Sequence, residues 1–353
     1  QEHDLTVLKG VAGTEVRLGE EWLDQGKSPW IKNLDELPAP ARHLIDKYKG
    51  EYFYIVARPL ASIYTSRGCS FDCNFCAIWE FYERKTRYLS ASVIADRMEA
   101  CDEDFVFLLD DNFLSRTDRL WALADELESR GIKKYWMSQG RTDFVAKNPD
   151  LIKRLAQVGL RGLLSGYESN SQDSLDFLRK RCNVDANMAA SRILRENGVI
   201  STALFMVRAD FEKKDFDGLY EYIRQMGVAI PLVSIQTPLP GTELWRKYKD
   251  ELLTEDFRMF DLSHAVLPTR LPRVEFYEQY VRFGEVQNYS VRKWFTVGRV
   301  LRDWGFYWRL MPRIPDFMRR RAAFRAVVFN PKSYLRDEVG IITERPEHEV
   351  AAK

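Results

Sequence analysis

Six short segments in the middle of the chain are dense in apolar residues: LASIYTS (60–66), FVFLLDD (105–111), KYWMSQ (134–139), LRGLLSG (160–166), STALFMV (201–207) and LVSIQ (232–236). The second is a continuous apolar run ending in two carboxylates, the pattern of a strand buried on both faces. Helical patterns lie between the segments, and four of them stop at Gly131, Gly159, Gly198 and Gly227. A glycine just past a helix supplies the left-handed stop. Start signals agree. Ser115 stands three residues before Asp118, a variant of the capping box, and Asn148 precedes Pro149, which suits the first helical position. The glycines recur at 28, 39 and 29 residues, room for a strand, a turn and a helix each time. This alternation predicts an α/β fold with a parallel sheet, either curved as a partial barrel or open and doubly wound, with the site at the carboxyl ends of the strands. We place this unit at 59–248, between a leader at 1–58 and a mainly helical region at 249–353. In the leader, DELPAPARHLIDKY begins as a proline-interrupted loop and ends in a short helix.

Composition narrows the class. With 45% apolar and 30% charged residues, the 353-residue chain is ordinary globular material. It contains no run of 18 apolar residues that reads as a membrane span. It begins at Gln1 with no secretory leader in view, and a start other than Met is expected of a piece of a longer protein. A net charge of +1 does not point to nucleic acid. The charge is unevenly spread, however. Residues 292–325 hold ten Arg or Lys against Asp303 and Asp316, together with eight aromatics. That mixture suits a membrane–water interface and predicts peripheral contact there. The alternatives are a helical domain with its aromatics in the core, or RNA bound through the arginines. Pro312 and Pro315 prevent one amphipathic helix from covering the segment.

The five cysteines are the sharpest chemical signal. Cys69, Cys73 and Cys76 form C-x3-C-x2-C directly after the first strand, while Cys101 and Cys182 stand apart. Three thiols in eight residues make a poor disulfide framework and read as thiols kept reduced for a metal, in the cytosol. Soft thiolates select iron–sulfur clusters or zinc. A structural zinc takes four protein ligands, and the nearest histidines in sequence are His43 and His264. A [4Fe–4S] cluster held by three cysteines leaves one iron open for a substrate. The alternative is a zinc knuckle or an electron-transfer cluster completed by Cys101 or Cys182. Otherwise Cys101, at a helix end, reads as core, and Cys182 has no assigned role.

The CxxxCxxC loop after the first strand of a six-unit α/β barrel resembles the hallmark of the radical S-adenosylmethionine (SAM) enzymes. TSRGCSFDCNFCAIWEFYERKTR, FLLDDNFL, GYES and TPLPGT follow in order, and together they resemble the branch that also uses cobalamin. In that branch a cobalamin-binding domain precedes the barrel. LDELPAPARHLI looks like the linker leaving it, so residues 1–30 would be its trailing end. FDLSHAVLPTRLPRVEFY is similar to the hopanoid C-3 methylases within the branch. The resemblance covers about residues 35–290.

The resemblance implies a partial (β/α)6 barrel and a set of roles. Cys69, Cys73 and Cys76 would hold the [4Fe–4S] cluster, whose open iron takes the amino and carboxylate groups of SAM. Phe75 would pack on adenine. Asp110 or Asp111 would receive the SAM ammonium, or cap the next helix instead; the family's Gly-Gly-Glu is missing here, so the motif does not say which. Gln139 and Arg141 follow the third strand, where Arg141 would pair with the SAM carboxylate or form a salt bridge. Glu168 would accept the ribose hydroxyls, and Thr237 and Pro238 would border the adenine. No catalytic acid or base is named. The implied reaction splits SAM to a 5′-deoxyadenosyl radical and methylates an unactivated carbon of a hopanoid-like lipid through methylcobalamin. The alternatives are cyclisation, oxidation, methylthio transfer to RNA, or a non-catalytic metal-binding module. Expected partners are a small-molecule or lipid substrate and an external one-electron reductant, with no nucleic acid. The expected location is the cytoplasm, peripheral to the inner face of the membrane where contact is made.

Overall fold

The computed structural model of the chain describes residues 10–315, 319, 330–339 and 341. All six apolar segments are strands: β1 (Leu60–Ile63), β2 (Phe105–Leu108), β3 (Tyr135–Gln139), β4 (Leu160–Glu168), β5 (Ile200–Val207) and β6 (Ile230–Ile235). They lie side by side in chain order, and every ladder between them is parallel. This order decides between the two predicted architectures. A doubly wound sheet reverses its strand order at a switch point, whereas here each unit steps the same way, as in a barrel. Among the described residues β1 pairs only with β2, and β6 only with β5, so no ladder closes the ring. Other groups meet the outer carbonyls of both edges. Arg42 donates to the Ser62 carbonyl at 2.8 Å, Tyr280 to that of Val233 at 2.9 Å, and Gln287 to that of Pro231 at 3.3 Å.

Helices α1 (Ala91–Glu99), α2 (Thr117–Ser129), α3 (Thr142–Lys147), α4 (Pro149–Gln157), α5 (Gln172–Phe177), α6 (Val184–Glu196) and α7 (Lys213–Met226) fill the connections. The four predicted stops are all left-handed, with φ of 64°, 105°, 72° and 65° at Gly131, Gly159, Gly198 and Gly227. The predicted start at Ser115 is corrected. The residue flanking α2 is Arg116, with no side-chain cap, and the Ser115 hydroxyl donates to Tyr88 at 3.2 Å. The cysteine loop's paired partner, Arg87–Tyr88, has taken the hydroxyl that a cap would have used. Pro149 does open α4, but the Asn148 amide donates back to the Phe144 carbonyl at 2.8 Å rather than capping.

Strand alternation sorts the core. Ala203, Phe205 and Val207 turn toward Phe216, Leu219 and Ile223 of α7. The opposite face carries Leu60, Phe105, Phe107 and Met137. The region after residue 249 is helical, with no strand among the described residues: α8 (Arg273–Val281), α9 (Phe283–Trp294), α10 (Val297–Arg302), α11 (Trp304–Leu310) and α12 (Pro331–Glu338). These helices complete the barrel. Phe276, Tyr280, Phe283 and Tyr334 join the α7 core, and the buried Glu338 carboxylate pairs with Arg273. Phe306, Tyr307 and Leu310 of α11 plug the amino end of the sheet. There Phe306 meets Tyr135 edge-on at 5.2 Å, beside an apolar cavity of about 80 Å³. The aromatic segment is therefore partly core, as one alternative held. Trp294, Phe306 and Tyr307 are buried, whereas Phe295, Trp304 and Trp308 are exposed. Asp316, Phe317, Arg320, Arg321, Phe324 and Arg325 lie outside the described residues.

The leader forms two parts. A contact-defined unit, Gln1–Pro38, holds a hairpin of Glu15–Leu18 and Glu21–Asp24. The other unit starts at Ala39, and its first element, 3-10 turns over Arg42–Glu51, is the predicted short helix. No described helix is long and apolar enough to cross a membrane.

Gly159 and Gly131 give a differential test of this packing. A Cβ at Gly159 would overlap the Lys134 carbonyl, whereas one at Gly131 meets nothing. Gly131→Ala should cost about 1 kcal/mol for its left-handed backbone alone, and Gly159→Ala clearly more. Urea denaturation midpoints of the two variants check the order.

Candidate active site

The chain leaves β1 and turns sharply before the first cysteine. Gly68 has φ 94°, and a Cβ there would strike the Lys85 carbonyl and the Tyr82 ring. The turn is braced from below by Asp110, whose carboxylate accepts the Thr65 amide at 2.6 Å, the Thr65 hydroxyl, and the Ser66 hydroxyl at 2.6 Å. Asp110 is 0% exposed, and the buried Arg119 guanidinium lies 3.8 Å away. Its neighbour Asp111 faces the other way. It is exposed, and it accepts the Gly68 amide at 3.0 Å. The structure thus separates two residues that the sequence presented as equivalent. Asp110 is fully engaged as a brace. Asp111 stands at the cysteine loop; the residue is exposed overall, but partial desolvation of its carboxyl raises the pKa, and the Gly68 amide opposes that rise.

The far side of the loop is tied to distant elements. Asn74 donates to the Phe177 carbonyl at 2.6 Å, its backbone amide reaches Leu178, and its carbonyl accepts from Leu244. The Trp79 indole donates to the Cys73 carbonyl at 2.9 Å. Cys73 is buried, and Cys69 and Cys76 are partly so. Burial pushes the Cys69 and Cys76 thiols up, while the backbone amides of Phe71 and Ile78 act against it. Ligation must therefore displace protons from these thiols near neutral pH.

A buried layer lies behind Cys73. The Arg141 guanidinium is 3.9 Å from the Cys73 sulfur, pairs with Asp143 at 2.8 Å, donates to the Lys180 carbonyl, and sits 3.6 Å from the centre of the Phe71 ring. Glu168 ends β4 with φ 62°, a left-handed backbone at a residue that is not glycine, where the β4–β5 register slips. Such strain persists only when its surroundings enforce it, and it clusters at functional sites. The enforcing contact is Lys180, whose ammonium donates to Glu168 at 2.7 Å with both side chains buried. Burial opposes the Lys180 charge, but Glu168 and the Cys73 sulfur outweigh it, so the Lys180 pKa is raised. Lys180 also stands 5.9 Å from the Phe75 ring. Gln139 is half-buried at the end of β3, and Thr237 and Pro238 are buried just past β6. The Thr237 hydroxyl is turned back to the Ile235 carbonyl at 3.1 Å. Sequence reading missed Lys180, Arg119, Phe71 and Asn74. None carries a local motif, since the fold brings each from another element.

Three thiols on one loop suit an iron–sulfur cluster, whose irons take soft sulfur ligands. Among the described residues no three His, Cys, Asp or Glu side chains are already grouped around a single point. Cys101 donates to the Arg97 carbonyl, and Cys182 lies against Thr142 and Asn187.

Residues 63–223 match the family model of the radical SAM superfamily. Over 317 residues the chain is 33% identical to the hopanoid C-3 methylase of Methylococcus capsulatus, covering 89% of this chain and 60% of that relative. It is 26% identical over 290 residues to the anaerobic magnesium-protoporphyrin IX monomethyl ester cyclase of Cereibacter sphaeroides, covering 80% of this chain and 46% of that one. The fold is similar to that of the cobalamin-dependent SAM radical enzyme OxsB, solved with aqua-cobalamin and SAM bound. The TM-score is 0.62 at 14% identity, over 98% of this chain and 64% of that one.

The two aspartates should separate by experiment. Asp110→Ala leaves Arg119 buried without its carboxylate and should lower stability by about 3 kcal/mol. Asp111→Ala should stay within about 0.5 kcal/mol of the parent chain. Chemical denaturation measures both.

Proposed function

We propose, from the match of residues 63–223 to the radical SAM family model, that the chain is an enzyme that cleaves SAM at a [4Fe–4S] cluster and methylates an unactivated carbon of a hopanoid-like lipid. The observation that carries the first half is the placement of three free thiols, Cys69, Cys73 and Cys76, on one loop just past β1 inside the segment that matches the radical SAM family model. The second half rests on the methylase likeness, whose relative is longer than this chain. When bound, the cluster, SAM and methylcobalamin supply the radical and the methyl group.

The chain's own residues hold and orient. Cys69, Cys73 and Cys76 would ligate the cluster, with the Phe71 and Ile78 amides favouring the thiolate form of Cys69 and Cys76. Asp111, oriented by the Gly68 amide, would receive the SAM ammonium. Glu168 is fixed by Lys180 through one oxygen, which leaves the other for ribose hydroxyls. Phe75 would pack on adenine, with Thr237 and Pro238 at its edge and Gln139 alongside. The Arg141 guanidinium supports the loop through Asp143 and the Lys180 carbonyl. The inner face of the sheet favours an apolar substrate: register places Leu164, Leu204, Met206 and Leu232 on the face opposite the α7 core, all at least partly accessible. Apolar walls of this kind exclude water from a reactive intermediate. A polycyclic lipid resides in a bilayer, so the reading carries peripheral membrane contact through 292–325 with it.

Anaerobic reconstitution of the full-length protein with iron, sulfide, SAM, reductant and methylcobalamin tests the proposal. The parent should form 5′-deoxyadenosine by mass spectrometry, and Cys73→Ala should form none. Product from that variant would refute the ligand assignment. Methylated lipid formed without cobalamin would refute the methyl route while leaving the radical one.

A further inference from the structure

Helix α11 reads WGFYWRL, apolar almost all round. A helix with that composition is normally buried on every side. Only one side of α11 is. Phe306, Tyr307 and Leu310 plug the barrel, while Trp304 and Trp308, four residues apart, are 47% and 57% exposed, their rings 5.4 Å apart. Helix α10 repeats the arrangement. Val300 packs into the plug, and Val297 and Leu301 are 75% and 64% exposed. Ile314 beyond α11 is exposed as well. Lys293, Arg302 and Arg313 are exposed along the same stretch, where the one described acid, Asp303, is held by Arg161.

We propose that this face, Val297, Leu301, Trp304, Trp308 and Ile314 with its basic rim, docks the protein on an anionic lipid bilayer. The proposal deepens the lipid-substrate reading and rests on it for its purpose, not for its geometry. Three features select a bilayer over a second copy of the chain. Indole rings prefer the interface, where the ring meets acyl chains and the N–H meets headgroups. The cationic rim complements anionic phosphates. A symmetric pair would instead bring each patch onto itself and set arginine against arginine. The face also gives an orientation. Asp303 and Arg309 are held by Arg161 and Asp104, beside the first residues of β4 and β2. The bilayer therefore lies at the amino end of the barrel, and the cysteine loop, beyond the carboxyl ends of the strands, points away from it.

Co-sedimentation of the full 353-residue chain with vesicles tests this. The chain should pellet with phosphatidylcholine vesicles containing about one-third phosphatidylglycerol, the fraction expected to give a strong surface charge. It should bind phosphatidylcholine alone far less, and binding should fall as salt rises. Trp304→Ser with Trp308→Ser should weaken the partition by about tenfold or more. Arg302→Glu and Arg313→Glu should each weaken it about fivefold on anionic vesicles and leave neutral vesicles unaffected. Circular dichroism melts confirm that the variants are folded. A folded parent chain that does not pellet, or tryptophan variants that bind as the parent does, would overturn the proposal. So would a concentration-dependent dimer in sedimentation velocity that the double variant loses, because the face would then belong to a second copy. Vesicle binding by a chain that makes no 5′-deoxyadenosine sinks the radical reading and leaves the surface standing, and the opposite result sinks only the surface.

Discussion

A buried carboxylate fixes the path of the metal-binding loop. Asp110 takes the Thr65 amide and the Thr65 and Ser66 hydroxyls at the point where β1 ends, and Arg119 balances its charge from behind. All four residues are buried, so these groups have little water to trade their partners for, and the loop's departure angle is set before any ligand arrives. The left-handed turn at Gly68 then follows, and Asp111 stabilises its amide. Two consecutive aspartates on one strand end thus divide the work, one holding the backbone below and one facing the site above, because successive residues of an extended chain point to opposite sides.

The rest of the site is a second layer that keeps positive charge near Cys73. Arg141 and Lys180 are both buried and both compensated locally, by Asp143 and by Glu168. Arg141 precedes α3 and pairs with Asp143 in its first turn, while Glu168 ends β4 and pairs with Lys180 from the turn after α5. The strained Glu168 backbone is the clearest sign that geometry here is imposed by surroundings, since the buried Lys180 would lose the carboxylate it pairs with if the turn relaxed.

Much of the fold was legible from one regularity, apolar strands followed by helices that stop at glycine. Backbone requirements of that kind are local, so they are written in consecutive residues. The strand–helix alternation alone left partial barrel and doubly wound sheet open, because strand order depends on which neighbours meet in space; the resemblance carried by the cysteine loop and the motifs after it chose the partial barrel. The same division holds in the site. The cysteine spacing and the carboxylates at strand ends stood out as motifs. Lys180, Arg119, Phe71 and Asn74 did not, because each acts on a residue between 12 and 103 positions away. Ser115 failed as a cap for the converse reason: a tertiary partner, Tyr88, outcompeted the local one. The aromatic, basic segment gave a mixed answer, since a single helix presents one side to the core and the other to solvent.

The unjoined edges of the sheet have a bearing on size. A small closed barrel packs its own interior with side chains and admits only what fits along its axis. Here the outermost carbonyls of β1 and β6 are met by Arg42, Tyr280 and Gln287 instead of by each other, so the sheet gains no ladder bond by zipping shut. Side chains of the flanking elements, and not a closing ladder, therefore finish these edges, and the width of the barrel is set by what packs against its outer strands.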